Sequence, residues 1–205
     1  MSLSMPLAAT GAVLTLALDA CAVDDMDVAE AFAGSSESAI SSHACPDGIP
    51  PELAPAPDQN LSFVLSATGV QKYTCAATPT GAAWTLVAPD AALLKNGHRV
   101  GTHDAGPTWR YRDGSTVVGA KAAEATPDAS AIPWLLLTAT SHGAERGKMT
   151  AVTSIQRLST TAGRAPSTGC DADHVGAATN VPYAASYFFY ETRTRHQEHN
   201  VRCGQ

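Results

Sequence analysis

From Leu61 onward the apolar positions recur every second residue. Leu61, Phe63 and Leu65 alternate with Ser62, Val64 and Ser66, the pattern of a strand with one buried face. Gly69 is expected to break this strand, with extended structure resuming over residues 70–75. Residues 84–87 predict a short strand ended by Pro89-Asp90, and residues 91–94 another, closed by the turn-forming pair Asn96-Gly97. Residues 108–111 and 115–120 flank Asp113-Gly114 and predict a tight hairpin. Residues 133–138 are apolar on both faces, which predicts a buried central strand. Residues 149–158 form a long strand, and residues 183–191 alternate aromatic and small side chains as the last core strand. Short strands at this spacing predict an all-β fold, an antiparallel sandwich or barrel of about eight strands.

The pattern upstream is different. Residues 6–18 are an apolar run of signal-peptide length, too short to cross a bilayer as a mature helix. The run leads into Leu18-Asp19-Ala20-Cys21, which resembles a bacterial lipobox, although Asp19 is unusual there and no Lys or Arg precedes the run. Cleavage before Cys21 would leave a lipidated N-terminus held at a membrane surface. Ala20-Cys21-Ala22 also reads as an ordinary cleavage site that releases a free protein. Residues 1–21 are therefore assigned to a signal peptide or lipoprotein leader, residues 22–60 to an acidic Ser/Pro-rich stalk, and residues 61–205 to the β domain. The expected location is secreted or cell envelope, as an outer-membrane or surface lipoprotein.

Charge and cysteine usage sharpen this division. Residues 1–60 carry nine acidic side chains and no Lys or Arg, whereas the β domain carries 13 basic against 10 acidic ones, a net of +3. That balance is too weak for a nucleic-acid partner, and none is expected. The chain has five cysteines, and setting Cys21 aside leaves Cys45, Cys75, Cys170 and Cys203, an even number suited to an oxidising compartment. Four cysteines allow three pairings; Cys75–Cys170 and Cys45–Cys203 are favoured, so the domain is expected to be stapled by disulfides. No two cysteines have the spacing of a zinc knuckle.

The ordered motifs Gln71-x-Tyr73-Thr74-Cys75, Gly106-Pro107-Thr108-Trp109, Asp113-Gly114-Ser115, Trp134-Leu135-Leu136-Leu137, Ile155-Gln156-Arg157, Gly169-Cys170 and Tyr183-x-Ala185-x-Tyr187-x-Phe189-Tyr190 resemble a family of small secreted microbial proteins catalogued only as a domain of unknown function. The resemblance covers roughly residues 48–190. It implies an extracytoplasmic, mostly β domain and supplies no catalytic residues. Members sometimes carry dehydrogenase-like names, yet this chain has no G-x-G-x-x-G opening a helix after a strand.

The densest polar cluster runs from His98 to Asp104. The odd spacing of His98 and His103 places them on opposite faces of a strand unless a bulge intervenes. His103 beside Asp104, ahead of Gly106-Pro107 and Trp109, fits a loop mouth, where such a pair can act as general base, metal ligand or proton switch. The plainer reading has both residues fixing the turn before Trp109. Trp109, Tyr111, Trp134 and Tyr187 can form an aromatic platform; Trp134 reads as core and Trp109 as a surface or pocket residue. Arg157, if buried in its apolar strand, calls for a carboxylate such as Asp113 or Asp104. His196 and His199 have helical metal-ligand spacing near the end of the chain, but no H-E-x-x-H or G-x-S-x-G occurs. No catalytic residue, metal or cofactor is assigned. The favoured expectation is a non-catalytic binding module for a small polar or carbohydrate ligand, using His103, Asp104, Trp109, Asp113 and Arg157. The alternatives are an extracytoplasmic His/Asp- or metal-assisted hydrolase or isomerase, and a purely structural surface protein.

Overall fold

The period-two segments are joined into longer strands than residue type alone indicates. The computed structural model describes residues 48–193. Its strands are β1 (Gln59–Thr78), β2 (Gly81–Lys95), β3 (His98–Asp104), β4 (Thr108–Tyr111), β5 (Thr116–Ala125), β6 (Trp134–Gly143), β7 (Val152–Ala162) and β8 (Ala178–Thr192). Each pairs antiparallel with the next, and β8 pairs with β1, so the sheet closes into an eight-stranded up-and-down barrel. The all-β expectation holds, and the choice between sandwich and barrel resolves as a barrel.

Two expected strand breaks are absent. Gly69 lies inside β1, opposite Ala91 of β2 and Tyr183 of β8. A Cβ there would collide with the Asp90 carbonyl and lie 2.5 Å from the Ala91 Cα, so glycine lets the neighbouring strand come close. Pro89 does not end β2. It lies beyond the first pair with β3, at Ala91, so one edge of β2 is free there and the missing N–H need not remove a ladder bond. Nearby, a register shift opposite Lys72 and Tyr73 leaves Val87 as an extra residue on β2.

The inward positions hold Phe63, Leu65, Leu93, Trp109, Ile155 and Phe189, all buried, as the barrel core. A second buried cluster sits on the outer wall, where Leu53 packs with Leu61, Leu158, Phe188 and Tyr190, beside Trp134 and Leu136. This explains the two-faced strand: Leu135 and Leu137 belong to the barrel core, and Trp134 and Leu136 to the outer cluster. Trp134, expected in the core, is thus on the outer wall, and Trp109 takes the core position instead. The covering segment includes the short 3-10 turn Pro51–Leu53, with Leu53 fully buried. Within residues 48–60, grouped by composition with the stalk, Leu53 and Pro55 are thus buried, and Gln59 and Asn60 already belong to β1.

Gln156 fixes that segment. Its Nε2 donates to the Leu53 carbonyl at 2.6 Å, and its Oε1 accepts from the Tyr190 hydroxyl at 2.6 Å, all buried. Gln156→Leu keeps the volume but orphans both partners, with an expected cost of about 1–3 kcal/mol for each. Urea unfolding measures this loss. Adding Tyr190→Phe should recover the part due to the orphaned hydroxyl.

Cys75 and Cys170 form the favoured bridge. It joins β1 to the connection between β7 and β8, which also reaches back through Tyr73 Oη to the Gly163 carbonyl at 2.7 Å and Trp84 Nε1 to the Thr168 carbonyl at 2.9 Å. Cys21, Cys45, Cys203, His196 and His199 lie outside the described residues.

Candidate functional site

The barrel end marked by the β3–β4 turn contains a cavity of about 320 Å³. Strand parity builds its wall. Trp109 points inward from β4 while Arg110 is exposed, and His103 on β3 is the direct cross-strand partner of Trp109. Their rings stack with centroids 4.4 Å apart and planes 12° from parallel. Tyr187 meets both rings edge-on, at 5.1 and 5.4 Å. Across the sheet, Arg157 on β7 is paired with Tyr187 on β8 and Leu135 on β6. Gln71 lines the same cavity from β1.

Hydrogen bonding here is incomplete. Both polar atoms of Gln71, the Trp109 indole nitrogen and the hydroxyls of Tyr183 and Tyr187 are buried without a hydrogen-bond partner among the described residues. Such groups destabilise a fold unless something else satisfies them, at about 1–3 kcal/mol each. Burial pushes both phenols upward, the Arg157 charge opposes the rise in both, and the two hydroxyls also influence each other. His103 Nδ1 lies 3.0 Å from the Thr108 carbonyl. A carbonyl only accepts, so Nδ1 carries the proton and Nε2 the lone pair. Burial lowers the His103 pKa to about 3; the Thr108 carbonyl opposes that shift and the Arg157 charge adds to it. The ring is therefore neutral at physiological pH.

Arg157 is half-buried, and its Nε and Nη2 donate to the Pro133 carbonyl at 3.1 and 2.8 Å. Among the described residues it has no carboxylate partner. Glu124 also lines the cavity but is paired with Lys121 at 2.7 Å.

Of the five candidates from sequence, three converge: His103, Trp109 and Arg157 line the cavity. Asp104 follows His103 on the same strand and faces the other way, accepting from Thr102 Oγ1 at 2.8 Å and lying 3.7 Å from Arg110 Nε. Asp113 sits at the β4–β5 hairpin, at the other end of β4. It accepts from the Ser115 hydroxyl at 2.6 Å and the Lys148 backbone N–H at 2.7 Å, and the Ser115 bond leads in holding its carboxyl below the usual range. Neither aspartate pairs with Arg157. Trp109, read as a surface or pocket residue, is 1% exposed and belongs to both core and cavity. Gln71 and Tyr183 were not singled out as site residues. Their signal was available for Gln71: it is a polar side chain on the inward parity of Phe63, Leu65 and Ala67.

A family model described as "Protein of unknown function (DUF3455)" matches residues 55–191, which include every cavity residue named above. No curated protein and no solved structure matches the chain.

Proposed function

We propose, for a chain that belongs to the DUF3455 family of proteins of unknown function, that it is an exported barrel binding a small molecule in the cavity beside His103 and Trp109. One observation carries the reading. Gln71, Trp109 and Tyr187 contribute fully buried, unpartnered polar atoms around a cavity of about 320 Å³, the low end of small-ligand sites. A barrel serving only as a surface spacer has no use for such groups. A His/Asp-assisted hydrolase or isomerase would need His103 and Asp104 together, and β3 turns them to opposite faces. The apolar leader, Cys21 and the Cys75–Cys170 bridge support export, either anchored through a lipid on Cys21 or free.

The test is thermal unfolding of the purified full chain with small acids, alcohols and monosaccharides. A ligand at a hundred times its Kd should raise Tm by about 5–10 °C for a domain of this size. Tyr187→Phe removes an orphaned hydroxyl and keeps the ring, so the unliganded variant should be as stable as the parent or more so, while binding weakens about tenfold. If no compound shifts Tm and the variant behaves like the parent, the binding reading fails.

A further inference from the structure

Resting on that reading, we infer that the ligand is a small organic carboxylate with an apolar body, its carboxylate held by Arg157. The donors and acceptors in the wall are unequal. Arg157 is a permanent cation with five N–H donors; Nε and Nη2 donate to one carbonyl, and the guanidinium also acts on the Tyr187 hydroxyl, which leaves donors to spare among the described residues. Trp109 can only donate. The Gln71 amide and the Tyr187 hydroxyl can donate as well as accept. Among the described residues no free negative charge faces this set: Glu124 is paired with Lys121, Asp104 faces outward and His103 is neutral. An anionic acceptor satisfies the donors and the uncompensated charge together.

The rest of the wall selects the kind of anion. Leu135, Leu137, Pro89 and Pro107 line the cavity, and the exposed Leu86 and Val87 line it too. Lys121 and Glu124 line the cavity as an exposed, mutually neutralising pair, which leaves Arg157 as the uncompensated cation among apolar walls; that suits one negative charge on an apolar body better than a dianionic phosphate. A sugar is a poorer fit, because His103 already stacks on one face of Trp109 and Tyr187 meets the ring edge-on. At about 30 Å³ per water, the cavity has room for roughly ten water-sized groups, the scale of benzoate or octanoate.

Calorimetry and Trp fluorescence on the full chain test this with benzoate, octanoate, methyl benzoate, octanol, glucose and inorganic phosphate. At least one acid should bind saturably and at least tenfold more tightly than its uncharged counterpart. That comparison needs no variant. Arg157→Gln should weaken the acid ten- to a hundredfold and leave the uncharged counterparts unaffected. If an uncharged counterpart, glucose or phosphate binds the parent as tightly as the acids, or if Arg157→Gln binds the acids undiminished, the carboxylate assignment is overturned while the binding reading stands. If none of the six compounds binds, the carboxylate assignment falls, and the binding reading then depends on the wider thermal panel.

Discussion

Replacing Cys75 and Cys170 together by Ala is expected to lower Tm by roughly 10–15 °C, from a chain-entropy loss of about 4–5 kcal/mol and a shift of about 2–4 °C per kcal/mol. The large effect comes from the sequence separation of 95, which closes a long loop in the unfolded chain. The native side should change little. Cys75 N donates to the Ala177 carbonyl at 2.8 Å, Gly176 N donates to the Cys75 carbonyl at 2.9 Å, and Tyr73 and Trp84 hold the same connection from their side chains. The variant should therefore fold to the same barrel, with slower folding and nearly unchanged unfolding. Calorimetry with and without reductant checks this. A loss of only a degree or two would mean that the unfolded chain is already compact without the bridge. If reductant lowers the parent by more than the double substitution does, a second bridge such as Cys45–Cys203 is present.

The turns carried most of the legible fold. Asn96-Gly97 and Asp113-Gly114 sit at the β2–β3 and β4–β5 reversals, where three of these residues adopt positive φ: 51° at Asn96, 75° at Gly97 and 87° at Gly114. The misread positions, Gly69 and Pro89, are governed by what lies across the sheet. A glycine that admits a neighbouring strand and a proline beside a free edge have the same local chemistry as strand breakers. Composition also hid the packed part of residues 48–60, because a Pro-rich segment without ladder pairing can still bury Leu53 through a single 3-10 turn. In the site, the period-two rule separates His103 from Asp104, whereas a register shift that leaves Val100 as an extra residue of β3 lies between His98 and His103 and removes the separation expected for that pair. Arg157 and Trp109 were legible as unusual residues, but their convergence depends on barrel closure, which brings β7 and β8 around to face β3 and β4.

Acid is expected to destabilise the unliganded barrel well before its carboxylates titrate. His103 has a native pKa near 3 against an ordinary 6.5, so between those values the unfolded chain binds a proton that the native ring refuses. The contribution is complete above pH 6.5 and is lost as pH falls toward 3, at about 1.4 kcal/mol per unit. Between pH 6.5 and 4 this amounts to about 3 kcal/mol, and solvent screens little of it because the ring is 2% exposed. Asp113, whose pKa is lowered from 3.8, loses its contribution only below that value, so the upper window isolates the histidine. Urea unfolding at pH 7, 5.5 and 4 measures the slope. His103→Gln retains a neutral donor for the Thr108 carbonyl and should flatten the slope, whatever its constant offset. Parallel slopes for the parent and His103→Gln would show that His103 is not held neutral by its burial between Trp109 and Tyr187. Between pH 7 and 5.5, where benzoate stays ionised, a bound carboxylate would favour the imidazolium, so saturating benzoate should reduce the parent's slope and leave that of His103→Gln unaffected. An uncharged ligand of the same shape should leave both slopes unchanged.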